Sequence, residues 1–217
     1  MAGIYFNIPT SVPAMPWTED FAYGSSTGDP IDENYWSLEG DDFYPDYLTW
    51  NGRNFMLHKQ AAGGGASTPR ATSKLSVDGD FEIIVHFKNG SGATADVGGN
   101  FLVGLDADPD YFMRINTIDY LKQYYYNYKT GGSIVQEGWK DLGAGSFDEG
   151  RMRVTRTGGD WSYYYWTGSV WSKMGATHTI GTGPVFIELW AYHWAGNLAH
   201  EFWWDKVIIN SGTLARR

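Results

Sequence analysis

The chain has 217 residues, a formal charge of −9 and no cysteine. An acidic chain whose one basic cluster is Arg216-Arg217 lacks the grouped Lys and Arg that bind a phosphate backbone, so nucleic acid is not an expected partner. Without cysteine there is no disulfide framework and no zinc–thiolate site, and no apolar run of spanning length predicts membrane insertion.

Aromatic residues make up 17% of the chain, charged residues only 19%, and there are 28 glycines. Many Tyr and Trp between Gly-rich turns predict an all-β sandwich or barrel. Residues 1–16 carry Pro9, Pro13 and Pro16, which hold a segment extended and keep it out of a central strand. They are expected to form an N-terminal arm, with Ile4, Tyr5, Phe6 and Ile8 as its docking residues. The start also lacks the basic and apolar regions of an export signal. Residues 17–212 are expected to form one β-sandwich, and 213–217 a C-terminal tail.

Asp29-Pro30 is a turn signal. The Asn51-Gly52 step between Trp50 and Phe55 predicts a hairpin. From Asp80 to Lys88, Phe81, Ile83, Val85 and Phe87 alternate against Glu82, Ile84, His86 and Lys88, the period-two pattern of a strand. Strands are predicted over 100–105 and 111–115, joined by a turn holding Asp106, Asp108 and Asp110. A Tyr-rich strand follows over 121–128. Strands 151–157 and 161–167 form a hairpin across Gly158-Gly159-Asp160, and a further strand runs from Val170 to Met174. Turn signals recur every 8–12 residues or so, the rhythm of a sandwich.

The stretch Pro184–Asn210 holds two alternating runs. In the first, Val185, Ile187, Leu189 and Ala191 point one way, while Phe186, Glu188, Trp190, Tyr192 and Trp194 point the other. The second face suits either another core layer or a sugar-binding groove.

The order of these pieces resembles the concanavalin A-like lectin/glucanase superfamily, in particular its laminin-G-like members. Glu19-Asp20-Phe21, Asp29-Pro30 and Tyr35-Trp36 are similar to the family's entry. Phe81–Phe87, Phe101–Asp106 and Tyr111–Ile115 are similar to its central strands. The hairpin from Arg151 to Trp171 and the closing Glu201–Gly212 complete the likeness. The resemblance implies a two-sheet antiparallel jelly roll, with one sheet concave, and glycan binding as the commonest activity, often with calcium. Enzymes of the superfamily commonly carry Glu-x-Asp-x-(x)-Glu on one strand, because one carboxyl protonates the leaving oxygen while the other attacks or activates water. That pattern is absent here. Glu188 has no second carboxylate two or four residues on, and Trp203 separates Glu201 from Asp205.

Trp and Tyr offer flat apolar faces to sugars and polar edges to their hydroxyls. Glu188, Trp190, Tyr192, Trp194, Tyr124 and Tyr126 are therefore the candidate glycan contacts, although the same aromatics equally suit a core or a protein interface. Asp106, Asp108 and Asp110 offer alternating oxygens to calcium, or form a solvated turn around Pro109. With no paired carboxylates, the expectation is a non-enzymatic virion-surface structural or adhesion protein of a phage, in capsid decoration, a head fibre or a tail, with a lectin-like domain. Its partners would be glycans or neighbouring virion proteins. The alternatives are a stand-alone carbohydrate-binding module acting outside the cell, and a glycoside hydrolase or polysaccharide lyase.

Overall fold

In the computed structural model the described residues are 12–21, 34–39, 46–50, 53–60, 70–89, 97–118, 122–143, 149–193 and 200–217, with side chains omitted at 46–60 and at several strand ends. Among them are fifteen strands. These are β1 (Trp17–Glu19), β2 (Trp36–Glu39), β3 (Asp46–Trp50), β4 (Arg53–Gln60), β5 (Arg70–Ser73), β6 (Leu75–Asn89), β7 (Val97–Leu105) and β8 (Tyr111–Ile118). They continue as β9 (Gln123–Thr130), β10 (Val135–Asp141), β11 (Glu149–Thr157), β12 (Asp160–Trp166), β13 (Trp171–Thr179), β14 (Val185–His193) and β15 (His200–Arg216). All pair antiparallel.

The ladders group into two layers. The first runs β2-β5-β14-β7-β8-β9-β10. The second runs β3-β4-β15-β6-β11-β12-β13, with β1 beside β15. A single pair, Val185 with Val77, joins them. This is an all-β jelly-roll sandwich, as the alternating patterns predict.

Inward-facing positions of both layers fill one core. Phe101, Val103, Met113, Ile115, Ile187 and Leu189 of the first layer meet Phe81, Ile83, Val85, Phe87, Val154 and Trp204 of the second. The glycine at position 99 makes room for this packing, since a Cβ there would lie 2.3 Å from the Phe202 ring. The entry motif is also structural. Buried Glu19 accepts hydrogen bonds from the Phe21 N–H at 2.8 Å and from the Trp36 indole at 3.3 Å. An otherwise costly buried carboxylate is thereby satisfied.

Arg156, 2% exposed, ties the layers together at their junction. Its Nε donates to the Gly79 carbonyl at 2.8 Å and its Nη1 to the Gly183 carbonyl at 2.5 Å, while Phe81 lies 4.8 Å beneath the guanidinium. A second tie closes the far edge. His178 of β13 meets Glu137 of β10 at 2.8 Å and stacks on Tyr128 at 3.8 Å.

The hairpin of β11 and β12 turns at Gly158-Gly159 as expected, with Gly158 at φ +59°, a conformation that favours glycine. β3 and β4 pair Trp50 with Arg53, which brackets the expected Asn51–Gly52 turn. Residues 213–217 are not a free tail. Thr213, Leu214, Ala215 and Arg216 continue β15 against Asp78, Val77, Ser76 and Leu75. Of the expected arm, residues 1–11, with Ile4, Tyr5, Phe6 and Ile8, lie outside the described residues, while Met15 packs against the core.

Candidate functional site

The outward face of the first layer carries the site. Its inward neighbours belong to the main core, whereas Leu102, Phe112 and Phe186, with Trp190 against them, form a separate cluster on the other side of the sheet. Strand register then sorts the outward residues into rows running across the strands.

One row reads Trp139, Tyr125, Asn116, Asn100, Trp190, Arg70 and Glu39, each residue directly opposite the next. Seven strands spaced by about 4.8 Å make this row roughly 29 Å long. The adjacent row reads Gln136, Asn127, Arg114, Leu102, Glu188, Thr72 and Ser37. A third, with Phe112 and Phe186, is covered by cations. The Arg217 guanidinium lies 4.6 Å over Phe186 and that of Arg114 lies 5.7 Å over Phe112.

Aromatic platforms stand at two points of the first row. Trp139, on edge strand β10, is 54% exposed and lies 4.5 Å from the Tyr125 ring. Trp190 lies three strands from Tyr125, with the Arg70 guanidinium 4.4 Å and the Arg114 guanidinium 5.6 Å from its ring centre. Between them Asn116 and Asn100 are buried, and the Asn116 amide donates to the Tyr125 carbonyl at 3.3 Å.

Glu188 is the carboxylate in the middle of this face among the described residues. Its Oε2 accepts the Trp190 indole N–H at 2.9 Å, its Oε1 accepts from the Thr72 hydroxyl at 3.4 Å, and Arg70 stands 3.8 Å away. Glu39 on β2 and Asp141 on β10 occupy the two edges of the sheet. On β8 the outward positions are Phe112, Arg114 and Asn116, with no carboxylate among them.

Of the expected glycan contacts, Glu188 and Trp190 lie on this face. The Tyr192 side chain and Trp194 lie outside the described residues. Tyr124 and Tyr126 are corrected, because β9 turns the opposite face outward. Tyr124 is 1% exposed and packs edge-on against Phe87 at 6.3 Å, while Tyr126 packs against Tyr163 at 5.5 Å. Burial pushes the phenol pKa of Tyr124 and of Tyr163 well above the usual value. The residues that face out from β9 are Tyr125, Asn127 and Lys129. Their polarity, beside an unbroken Tyr series at 124, 126 and 128, was the available signal. Trp139, Arg114 and Arg70 had no local signal, since each lies on a different strand.

The expected calcium turn does not assemble. Asp106 pairs with Arg217 at 2.6 Å, the Asp108 carboxylate accepts the Asp110 N–H at 3.0 Å, and Asp110 pairs with Lys129 at 2.5 Å. Burial raises the Asp106 pKa, and Arg217 partly offsets this. Three carboxylates engaged separately do not fit calcium, and no group of three metal-ligating side chains occurs among the described residues.

A cavity of about 850 Å³ opens elsewhere, where Lys122 and Tyr124 meet His86, Glu149, Arg151 and Asp205. It brings two carboxylates near one another, but Asp205 is 1% exposed and lies 3.7 Å from His86. Asp205 is too enclosed to meet a polymer, whereas on the first-layer face Trp139, Arg70 and part of Glu188 remain accessible.

No family model and no curated protein matches the chain by sequence. Solved structures do match its fold. A Bacteroides ovatus mixed-linkage glucan protein of glycoside hydrolase family 16, solved with a product, is 11% identical and superposes with a TM-score of 0.67 over 89% of this chain and 99% of its own. The Bacillus licheniformis β-glucanase is 14% identical, with a TM-score of 0.62 over 90% and 98%. The CBM2 module of the evolved Dit protein of Lactobacillus casei phage J-1 is 11% identical, with a TM-score of 0.58 over 89% and 93%. Identities this low show the fold alone, a two-layer antiparallel jelly roll shared with these proteins. The names of the matched proteins correct the expected function. The Bacillus licheniformis protein and two further solved structures of like architecture are named as glucanases, which runs against the expected non-enzymatic virion-surface protein, while the Dit module comes from a phage.

Proposed function

We propose that this protein is a carbohydrate-active jelly roll that lays a polysaccharide across the outward face of its first layer, along the row from Trp139 to Trp190, and hydrolyses it. The observation that carries this reading is the row itself: aromatic rings at two points, with the partly exposed Glu188 carboxylate in the adjacent row. Rings stack on the apolar side of a sugar, and carboxylates take its hydroxyls. Hydrolysis would use Glu188, which accepts two hydrogen bonds and pairs with Arg70, as the base and Glu39 as the acid. Two strand spacings across and two residues along put their backbones about 12 Å apart, so the side chains would have to lean together to reach the wider of the two carboxyl separations used in glycoside hydrolysis.

A second reading is binding without cleavage. It is favoured by the outward residues of β8, where Phe112, Arg114 and Asn116 offer no carboxylate. One experiment separates the two. The protein is incubated with a panel of neutral and acidic polysaccharides, and both retention on the polymer and new reducing ends are measured. Reducing ends that fall by about a hundredfold or more in Glu188→Gln, with retention unchanged, support hydrolysis. Retention without reducing ends selects binding alone. Neither signal on any polymer refutes both.

A further inference from the structure

The two aromatic points of the row differ in chemistry. Trp139 is 54% exposed, with the Tyr125 ring beside it. Trp190 instead has two guanidinium groups near its ring, Arg70 at 4.4 Å and Arg114 at 5.6 Å, both within the range of cation–π attraction. The first is a bare stacking platform. The second is a cationic subsite built on an aromatic ring.

We propose that the polysaccharide is acidic, and that its carboxylate or sulfate groups are held at the Trp190 end of the row by Arg70 and Arg114. This rests on the polysaccharide-binding reading and names its substrate class. A planar guanidinium binds carboxylate or sulfate through parallel N–H donors, which a neutral sugar cannot exploit. Arg114 is oriented for the task, since its Nε donates to the Asn127 side-chain oxygen at 3.1 Å, which fixes the plane of the group. Arg70 lies on β5 with its side chain 36% exposed and shares Glu188 at 3.8 Å, so one edge of its guanidinium meets solvent.

The charge distribution points the same way. The chain carries −9 overall, so an acidic polymer is repelled by most of the surface. Two arginines in the centre of this face, against that background, give such a polymer a local place to bind. The acidic groups would sit above Trp190 while neutral ring faces of the same chain stack on Trp139 and Tyr125. The polymer would therefore be held in a fixed direction across the strands.

The test measures the affinity of the full chain for three probes: polygalacturonate for carboxylates, dextran sulfate for sulfates, and mixed-linkage β-glucan as the neutral control. At least one acidic probe is expected to bind more tightly than the neutral one. That binding should weaken severalfold as salt rises from about 0.1 M to about 1 M, where the screening length shrinks from about 10 Å to about 3 Å. Arg114→Gln should weaken it about tenfold, the usual effect of losing one charge-assisted hydrogen bond, and Arg114→Lys should restore part of it. If Arg114→Gln does not fold, Arg70→Gln at the exposed strand serves instead, and the salt series needs no variant. Preferential binding of the neutral glucan, or acidic binding indifferent to salt and to both substitutions, overturns the acidic assignment. The first of these results leaves the polysaccharide reading standing. Binding of none of the probes, together with silence across the wider panel, removes both.

Discussion

Replacing Trp139 with alanine isolates the aromatic end of the row. A Trp buries 150–250 Å² when fully covered. With 54% of Trp139 exposed, about 100 Å² of its surface remains for a ligand, and a sugar ring covering half to two-thirds of that hides about 60 Å². At about 25 cal/mol per Å² this is worth about 1.5 kcal/mol, or roughly a tenfold loss of affinity. The fold should barely respond. Trp139 sits on edge strand β10 and lies 4.5 Å from the Tyr125 ring, a contact worth about 0.5–1.5 kcal/mol. Affinity would be read by calorimetry on whichever polysaccharide the unaltered protein retains, with a thermal melt of each protein alongside. Unchanged affinity in a variant that melts like the parent would refute the claim that the polymer reaches β10, and with it the reading of the row as one continuous site.

Two further outcomes follow from the buried groups. Arg156→Met should lower stability by about 3–5 kcal/mol in denaturant titration, because the Gly79 and Gly183 carbonyls lose their buried donor; a loss below about 1 kcal/mol would show that solvent replaces the arginine there. Alkaline pH should destabilise the protein through Tyr124 and Tyr163, whose phenol pKa values burial raises above the ordinary 10.0. Below that value both states keep their phenol protons and the shift has no effect. Above it the unfolded chain ionises while the folded one does not, so stability falls by about 1.4 kcal/mol per tyrosine for each pH unit. A Tyr124→Phe variant whose stability declines as steeply as the parent's above pH 10 would count against that assignment.

How far the site was legible can be judged on β9 and β14. In both strands the period of two separates the faces correctly, and on β14 the apolar set Val185, Ile187 and Leu189 points to the core as expected. On β9 the same period offered two aromatic faces, and the richer one, Tyr124, Tyr126 and Tyr128, lines the core instead of the surface. Aromatic content alone does not tell inside from outside, because Tyr is at home in a core once its hydroxyl finds a partner. Polarity was the better guide. Gln123, Tyr125, Asn127 and Lys129 alternate with the tyrosines and turn away from the core, on a face where Asn127 is itself covered and accepts the Arg114 Nε–H at 3.1 Å.

The sequence by itself determined that this chain is an antiparallel sandwich. Alternation, Gly-based turns such as Gly158-Gly159, and the order of the segments are local properties, and each strand carries its own copy of them. Only the tertiary structure decided what lies beside what. Trp139, Tyr125, Asn116, Asn100, Trp190 and Arg70 come from six strands scattered between residues 70 and 190, and register places them in one line. That line exists because hydrogen bonding between strands fixes neighbours at right angles to the chain, a direction in which the sequence carries no period.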